Sequence, residues 1–559
     1  MTTGVRDRGR AVPAPRPAWR LTLPTALTGF AVLAGVGYRL WLLVNEAPPT
    51  NSDEATMGLA ALHIAQGRHF PVWFYGQSYM GTLEAYLAAP LFALDGPSVT
   101  ALRLPLLALY ALFLLLTWRL TRRLGGAPWF ALLVVGLLAL GSDRVVKNQL
   151  IAGGGYPELN PMGVGLALLT LGLCAGRPGA GAAPGAETDA AARPGAPGAR
   201  WARSREARWA GWGLLAGLTG WIDPLLLPYV LAAGVVLVVM CRRELAGPGG
   251  ALACIGALVG AAPMLVHSVA QGRNPLSAVL TASGAETPAG WADRLHGGLL
   301  LGPPLGMGFC SPSHCAPWQL WWAAALPVLL VLAGLAAWRA LRPAGDRDSD
   351  RDLRAGAAVR LALVAGAAAS VAAYAVSSTA GRTPVESARY LSCVAIALPA
   401  LLWPVWAALH DRGPGVRGVV ARVAALAVLA GTVGTAAVAT AGAVDAAAAA
   451  RETATQRREL VAALDRLGVH HIYGGYWTCN AVTFATAEEV VCAVVDDELR
   501  PGFDRYPAYR EAVVRAAAPA YVAPVGSPLA ARLDRELPGR PGGMRLVTVD
   551  GWRIWLPGS

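Results

Sequence analysis

Long apolar stretches separated by short polar segments occupy about the first four-fifths of the chain. A helix needs roughly 20 apolar residues to cross a hydrocarbon core about 30 Å thick. Seven stretches come close to that length or exceed it, at residues 21–44, 99–118, 251–269, 320–338, 359–376, 391–409 and 419–444. Two shorter runs, 209–221 and 224–240, are expected to pair as a hairpin. The pattern predicts an all-α polytopic membrane protein with about eleven spans.

Composition and charge support that interpretation. The chain is 55% hydrophobic and only 15% charged, with a mean hydropathy of +0.45, which is too apolar for a soluble protein. Its net charge of +12 comes from arginines in short tracts between the apolar runs. These tracts follow the positive-inside rule and do not form the basic, aromatic-interleaved face of a nucleic-acid-binding protein. We expect a multi-pass protein of the cell membrane with residues 1–20 in the cytoplasm and the C-terminus outside.

Residues after about 445 change in character, because charged helical patterns alternate there with short β-type runs. The sequence therefore predicts a basic N-terminus (1–20), a transmembrane domain (21–445) and a small extracytoplasmic α/β domain (446–559). An Ala-, Gly- and Pro-rich stretch, 177–208, is predicted to be a cytoplasmic linker. The predicted elements of the last domain are helices 452–467, 506–517 and 527–537 and strands 470–473, 490–495, 520–525 and 544–549.

The cysteines separate into two groups. Cys174, Cys241, Cys254 and Cys393 lie within or at the ends of predicted spans. The other four fall in segments predicted to face the oxidising side, where disulfides form. They are disulfide candidates as two pairs, Cys310 with Cys315 and Cys479 with Cys492.

Carboxylates cluster in the first outer loop. Asp53 and Glu54 follow the first span directly, where they can supply a general base or bind a cation. The alternative is a helix N-cap formed by Ser52 or Asp53 with an acidic first turn. Glu84 lies in an apolar segment, 81–94, too short to span and expected at the membrane interface. A carboxylate there needs a partner or water, so Glu84 is either a site residue or forms a salt bridge to Arg103 or a neighbouring residue.

Two further outer segments carry candidate site residues. In the second loop, Lys147 precedes three glycines and the run Tyr156-Pro157-Glu158, which is either a backbone that approaches a ligand closely or a simple turn. Arg382, Arg389 and Tyr390 lie where a late span enters from outside. An arginine there can bind phosphate, or its side chain can reach lipid headgroups. We predict no metal site.

Taken in order, these motifs resemble those of the GT-C glycosyltransferases, specifically family 39-like membrane enzymes related to protein O-mannosyltransferases and lipid A aminoarabinose transferases. The resemblance covers about residues 20–445 and rests on Asp53-Glu54 and the segments 79–87, 154–158 and 388–391. The mannosyl and aminoarabinose branches commonly carry a Lys-Pro-Pro run where this chain has residues 79–84, Tyr-Met-Gly-Thr-Leu-Glu. That difference leaves the donor sugar and the acceptor open.

The resemblance implies an inverting transfer from a polyprenyl-phosphate sugar to an extracytoplasmic glycan, glycolipid or protein. Asp53 would be the general base, and Glu54 would orient it or bind the acceptor. Arg389, with Arg382 and Lys147, would neutralise the lipid phosphate. The remaining residues assigned to substrate binding are Tyr79, Glu84, Tyr156, Glu158 and Tyr390. No cofactor is implied, although a divalent cation is compatible with the site.

Two alternative functions remain at the level of sequence. A lipid or solute transporter or flippase would also need many spans, but transporters usually place ionisable residues near mid-membrane in repeated halves. Here the acidic residues gather in outer loops and no repeat is visible. A non-catalytic cell-envelope assembly subunit would tolerate the loss of Asp53.

The aromatic cluster 473–477 of the last domain either contacts an acceptor or packs on the membrane domain.

Overall fold

The computed structural model describes residues 22–175, 197–272, 288–310, 315–342, 348–410, 415–537 and 543–558. The predicted cytoplasmic segment 1–20 and most of the linker 177–208 lie outside these residues. The helices before residue 307 are α1 (Leu23–Val44), α2 (Ser52–Ala65), α3 (Leu83–Asp95), α4 (Val99–Arg123), α5 (Pro128–Ala139), α6 (Asp143–Leu150), α7 (Tyr156–Cys174), α8 (Pro197–Ile222), α9 (Leu227–Leu245), α10 (Pro248–Gln271), α11 (Trp291–Leu295) and α12 (Gly302–Gly306). The later membrane-domain helices are α13 (Trp321–Leu341), α14 (Asp348–Val376), α15 (Ser378–Arg382), α16 (Pro384–Ser387), α17 (Leu398–Leu401), α18 (Trp403–His410) and α19 (Val416–Asp445).

The helical part of the chain is a multi-pass membrane domain. Within the described ranges, eight helices are long and apolar enough to cross a membrane, and counting the bent pair α5 and α6 as one span gives nine. The seven long apolar stretches of the sequence each coincide with one of the eight. The total of about eleven spans and the orientation of the chain stay predictions.

The predicted linker is wrong at its C-terminal end, because α8 begins at Pro197 and runs unbroken to Ile222. Charged residues near the end of this segment contact neighbouring helices. Arg205 hydrogen-bonds the carboxylate of Glu244 with both Nε and Nη2 (2.6 Å each), and Arg208 donates to the carbonyl of Gly172 (3.0 Å). Residues 205–208 are therefore part of a helix that packs against α7 and α9.

The C-terminal domain is a five-stranded mixed sheet with helices. The helix α20 (Ala447–Arg466) follows α19 after one residue. The sheet order is β2-β1-β3-β5-β4, with β1 parallel to β2 and β3, and β5 antiparallel to both of its neighbours. Its elements are β1 (His471–Gly474), α21 (Tyr476–Ala485), β2 (Val491–Val494), α22 (Pro507–Arg515), β3 (Ala520–Pro524), α23 (Pro528–Glu536), β4 (Met544–Val549) and β5 (Trp552–Pro557).

The four strands predicted from the sequence all form, whereas α21 and β5 are absent from the prediction. β4 and β5 are joined by the two residues Asp550 and Gly551, and Gly551 has a φ of +71°. An Asp-Gly pair between two β-type runs is a strong signal of a hairpin, so β5 could have been found. The residues of α21 include several Thr, Val and aromatic side chains, which favour strands locally.

The C-terminal domain packs on the first outer loop through α21 and α2. The Ser52 hydroxyl donates to the carbonyl of Tyr476 (2.7 Å), and Asn480 Nδ2 donates to Thr56 Oγ1 (2.9 Å). The ring of Phe484 occupies the space beside Gly58, where an added methyl group would come within 2.5 Å of it. Only glycine allows this close approach at that position. The two domains therefore share one interface directly beside Asp53.

Candidate active site

Asp53 lies in the first turn of α2, where Asn51 and not Ser52 or Asp53 caps the helix, because its side chain accepts the N–H of Glu54 (2.9 Å). Asp53 Oδ1 accepts hydrogen bonds from the Tyr476 hydroxyl (2.7 Å) and from Arg505 Nη2 (2.8 Å). In the described part of the chain Oδ2 accepts none, and the side chain is 24% exposed. Asp53 is therefore held through one oxygen and open at the other.

Glu54 has a different environment from Asp53. Its carboxylate is fully buried and receives Nε and Nη2 of Arg103 on α4, at 2.6 and 2.7 Å. A bidentate pair of this kind holds α2 and α4 together, and its complete burial closes the carboxylate to solvent. The geometry favours a structural role for Glu54 over the acceptor contact that the resemblance implied.

Glu84 does not form the salt bridge to Arg103 that was one alternative for it, because Glu54 occupies that arginine. Its buried carboxylate instead accepts the backbone N–H groups of Gly154 (3.2 Å) and Gly155 (3.1 Å). Burial raises the pKa of Glu84 to about 7, against the opposing effect of these two N–H donors. Glu84 thus fastens the three-glycine loop to α3, and Gly154 and Gly155 have φ values of +109° and +88° that suit glycine.

Glu158 lies in the first turn of α7, beside Glu84. Both of its carboxylate oxygens are buried, and neither has a hydrogen-bond partner among the described residues. Asp223 caps the following helical turn by accepting the N–H of Leu225 (2.8 Å) and is also buried. Glu84, Glu158 and Asp223 are therefore three buried carboxyl groups close enough to interact electrostatically.

A basic group faces these acids. Arg389 lies over the rings of Tyr156 (5.4 Å) and Tyr390 (5.8 Å), which stack on each other at 6.5 Å. Its Nε is buried without a hydrogen-bond partner, and it forms no ion pair with a described carboxylate. Arg389 and the exposed Lys147 are both within electrostatic reach of Asp53. Arg389 and Lys147 thus place positive charge near Asp53 without forming an ion pair with a described carboxylate.

Tyr79 interacts with cations of both domains. It is half-buried, and the charges of Arg505 and Arg389 act on its phenol together with Tyr390. Burial raises the pKa of Tyr79, whereas the two arginines oppose that shift. By contrast, Arg382 is exposed at the end of α15, so the headgroup alternative stays open for it. Asp53, Tyr79, Lys147, Tyr156, Arg389 and Tyr390 thus interact with one another, and so do Glu84 and Glu158.

Sequence reasoning missed two residues of this site and left a third open. Arg505 belongs to the C-terminal domain, and nothing in its local sequence indicates a partner more than 400 residues earlier. Tyr476 belongs to the aromatic cluster 473–477, and its hydrogen bonds with Asp53 and Ser52 favour the alternative in which this cluster packs on the membrane domain. Arg144 donates to the backbone carbonyls of Val385 and Glu386 and has a buried Nε without a partner among the described residues. Its place one helical turn before Lys147 on α6 was a usable signal, because two basic residues on a helix predicted to lie outside are unusual.

The structure contains two disulfides, Cys310–Cys315 and Cys479–Cys492, in the pairs that the sequence suggested. The second one links α21, which begins with Tyr476, to β2. Among the described residues, no group of three or more His, Cys, Asp and Glu side chains is arranged to hold a metal ion.

No protein-family model and no curated protein sequence matches the chain. Among solved structures it is similar to ArnT from Cupriavidus metallidurans bound to undecaprenyl phosphate, with 14% identity, 95% of this chain and 98% of that chain covered, and a TM-score of 0.55. The apo form of ArnT gives the same identity and coverage with a TM-score of 0.53. AglB from Archaeoglobus fulgidus, an archaeal oligosaccharyltransferase, gives 14% identity, 97% and 75% coverage and a TM-score of 0.45. The likeness to ArnT over nearly the whole of both chains shows that this chain has the GT-C fold.

Proposed function

We propose that this protein is a membrane glycosyltransferase that moves a sugar from a polyprenyl-phosphate donor to an acceptor on the extracytoplasmic face, with inversion at the anomeric carbon. Two groups of this site carry the proposal. Asp53 is a carboxylate that is open at one oxygen, and Arg389 is an arginine that has no carboxylate partner among the described residues. Glycosyl transfer needs both groups, because a proton leaves the acceptor while negative charge develops on the departing phosphate.

In this proposal Asp53 is the general base. Its Oδ1 is occupied by two donors, so Oδ2 is the atom available to an acceptor hydroxyl. The neighbouring Glu54 cannot substitute, because Arg103 engages both of its oxygens in a fully buried pair. Acid–base assistance by a positioned carboxylate typically contributes about 10²–10⁴-fold to a rate.

Arg389, Arg144 and Lys147 supply the positive charge for the leaving phosphate. Arg389 and Arg144 each have a buried Nε without a partner among the described residues. Buried N–H donors without partners are costly, and a phosphate oxygen would satisfy them. ArnT, which has the same fold, binds undecaprenyl phosphate. A lipid-linked phosphate keeps its chain in the bilayer and its sugar at the interface, where these outer helices lie.

The test is transfer by the purified protein in detergent or lipid, supplied with a panel of polyprenyl-phosphate sugars and with glycan, glycolipid and peptide acceptors. We expect transfer from at least one donor, an inverted product anomer, and a loss of about 10²–10⁴-fold in Asp53→Asn. Asp497→Asn is the matched control, because it makes the same chemical change on an exposed carboxylate of the C-terminal domain.

Equal transfer by wild type and Asp53→Asn would remove the assignment of the general base. Absence of transfer from every donor in the panel, with a protein that is folded by its thermal unfolding, would contradict the proposed function. In that case a flippase assay with the same lipids would test the transporter alternative.

A further inference from the structure

The C-terminal domain supplies both of the hydrogen-bond donors that hold Asp53. Tyr476 is the first residue of α21 and Arg505 precedes α22, and each reaches across the domain interface to the same oxygen, Oδ1. The resemblance to GT-C enzymes assigned a site only within residues 20–445. The geometry extends the site into residues that this resemblance does not cover.

Arg505 is fixed from several directions. Its Nε donates to the Tyr476 hydroxyl (2.6 Å), its Nη1 to the carbonyl of Tyr75 (3.1 Å) and its Nη2 to Asp53 (2.8 Å). Its guanidinium also lies over the ring of Phe74 at 4.5 Å, and its side chain is only 8% exposed. A cation held in this way loses little conformational freedom when it orients a neighbouring carboxylate.

Tyr476 is positioned equally firmly. Its backbone carbonyl accepts the hydroxyl of Ser52, the residue that precedes Asp53. Burial and the negative charge of Asp53 raise the pKa of its phenol, so the phenol stays protonated and donates to Oδ1. The hydroxyl therefore receives a hydrogen bond from Arg505 and gives one to Asp53, in a continuous chain of three groups.

We propose that Arg505 and Tyr476 are positioning residues for Asp53, and that the C-terminal domain is an obligatory part of the catalytic unit. This inference rests on the proposed function, because it assigns the general base to Asp53. By holding Oδ1 the two residues direct Oδ2 toward the acceptor. Neither of them touches the reacting atoms, so they act on the rate through the orientation of the carboxylate. A displacement of about 1 Å in such a group can cost about 10²-fold in rate.

The kinetic test compares Arg505→Gln, Arg505→Lys and Tyr476→Phe with the control Arg500→Gln. Arg500 belongs to the same domain, is exposed and pairs only with Asp496 and Glu498. We expect kcat to fall by about 10²-fold in Arg505→Gln while KM for donor and acceptor changes less than about 2-fold. Arg505→Lys keeps the charge and should recover part of the loss.

The result that overturns the inference is a kcat for Arg505→Gln and Tyr476→Phe equal to that of Arg500→Gln, in a preparation where Asp53→Asn is inactive. That outcome leaves the proposed function intact and removes only the positioning role. A loss confined to KM would also overturn it, because a purely acceptor-binding domain changes affinity and not the orientation of the base.

A second measurement does not depend on activity. Thermal unfolding is compared for Asp53→Asn, Arg505→Gln and the double variant, all in the same detergent. If the two side chains interact as described, the Tm loss of the double variant is smaller than the sum of the two single losses. Additive losses would contradict the contact itself and therefore the inference, even where no donor sugar has been found.

Discussion

Asp53 and Glu54 are adjacent in the sequence, yet they belong to two different regions of the molecule. Glu54 points into the membrane domain and is fully buried against Arg103 of α4. Asp53 points to the interface with the C-terminal domain, is partly exposed and keeps one oxygen without a partner in the described residues. The pair therefore divides into a carboxylate that holds helices together and a carboxylate that can react.

This difference arises from helix geometry. Neighbouring residues of a helix point about 100° apart, so one of the pair can face the bundle while the other faces outward. A charge without a partner is expensive in the bundle, and Arg103 meets that requirement for Glu54. At the domain interface Arg505 and Tyr476 restrain Asp53 without enclosing it.

The largest expected effect is on stability at Glu54. Glu54→Gln leaves the guanidinium of Arg103 buried without its carboxylate, and breaking such a pair costs about 3–5 kcal/mol. We expect a lower yield of folded protein and a marked drop in Tm by thermal unfolding in detergent. The double variant Glu54→Gln/Arg103→Met should be more stable than the single variant, because no unpaired charge remains. A Glu54→Gln protein as stable as wild type would remove the structural assignment.

Replacing Arg389 should lower the rate of sugar transfer and leave folding unchanged. Removing a preorganised group that stabilises developing charge typically costs about 10²–10³-fold in kcat. Arg389→Gln should therefore transfer sugar about 10²–10³-fold more slowly, with a Tm near that of wild type. Arg417→Gln is the control, since Arg417 is exposed at the start of α19 and has no assigned role in the site. The assignment fails if the two variants have the same kcat.

Variants of Glu84 distinguish a structural role, like that of Glu54, from a reactive role, like that of Asp53. Glu84→Ala leaves the buried N–H groups of Gly154 and Gly155 without acceptors, at a cost of about 1–3 kcal/mol for each donor. Glu84→Gln retains an acceptor oxygen and should be milder. We expect both variants to lower Tm in that order. Full stability of Glu84→Ala would show that the three-glycine loop holds its shape without this side chain.

The smallest effect concerns the far end of the domain interface. Burial opposes ionisation of Glu488, but hydrogen bonds from His63, Arg68 and Tyr509 outweigh it and lower the pKa of Glu488 to about 2. Because the folded-state pKa is depressed, the stabilisation is fully present above about pH 4.5 and is lost as the pH falls toward about 2. Its size should be about 1 kcal/mol, since the cluster is partly exposed.

The measurement is Tm as a function of pH for wild type and Glu488→Gln. The variant should lose the part of the pH dependence that lies between about pH 4.5 and 2. Asp497→Asn, an exposed carboxylate on the same domain, should keep the wild-type profile. Identical profiles for wild type and Glu488→Gln would mean that this cluster does not hold the two domains together.

Much of the fold was accessible from the chain itself. Six of the seven long apolar stretches became single long helices, and the seventh, 391–409, became a run of short helical segments that together are long enough to span a membrane. The reason is that burial in lipid requires a continuous apolar surface and satisfied backbone hydrogen bonds. The strands of the C-terminal domain followed their β-type runs. The helix α21 did not follow its local preference, since Asn480 and Phe484 bind α2 in the helical form and tertiary packing outweighs a small local propensity.

For the site, the sequence determined which residues carry suitable chemistry. Asp53, Glu84, Glu158, Lys147 and Arg389 all have side chains whose chemistry is evident from the sequence. Only the tertiary structure decides which groups each of them contacts, because burial and partners come from segments far away in the chain. Arg103 on α4 removes Glu54 from the chemistry, and Arg505 with Tyr476, more than 400 residues beyond Asp53, leaves a single carboxylate oxygen open. The local sequence shows the carboxylates, but it does not show the distant cations that give each carboxylate a different environment.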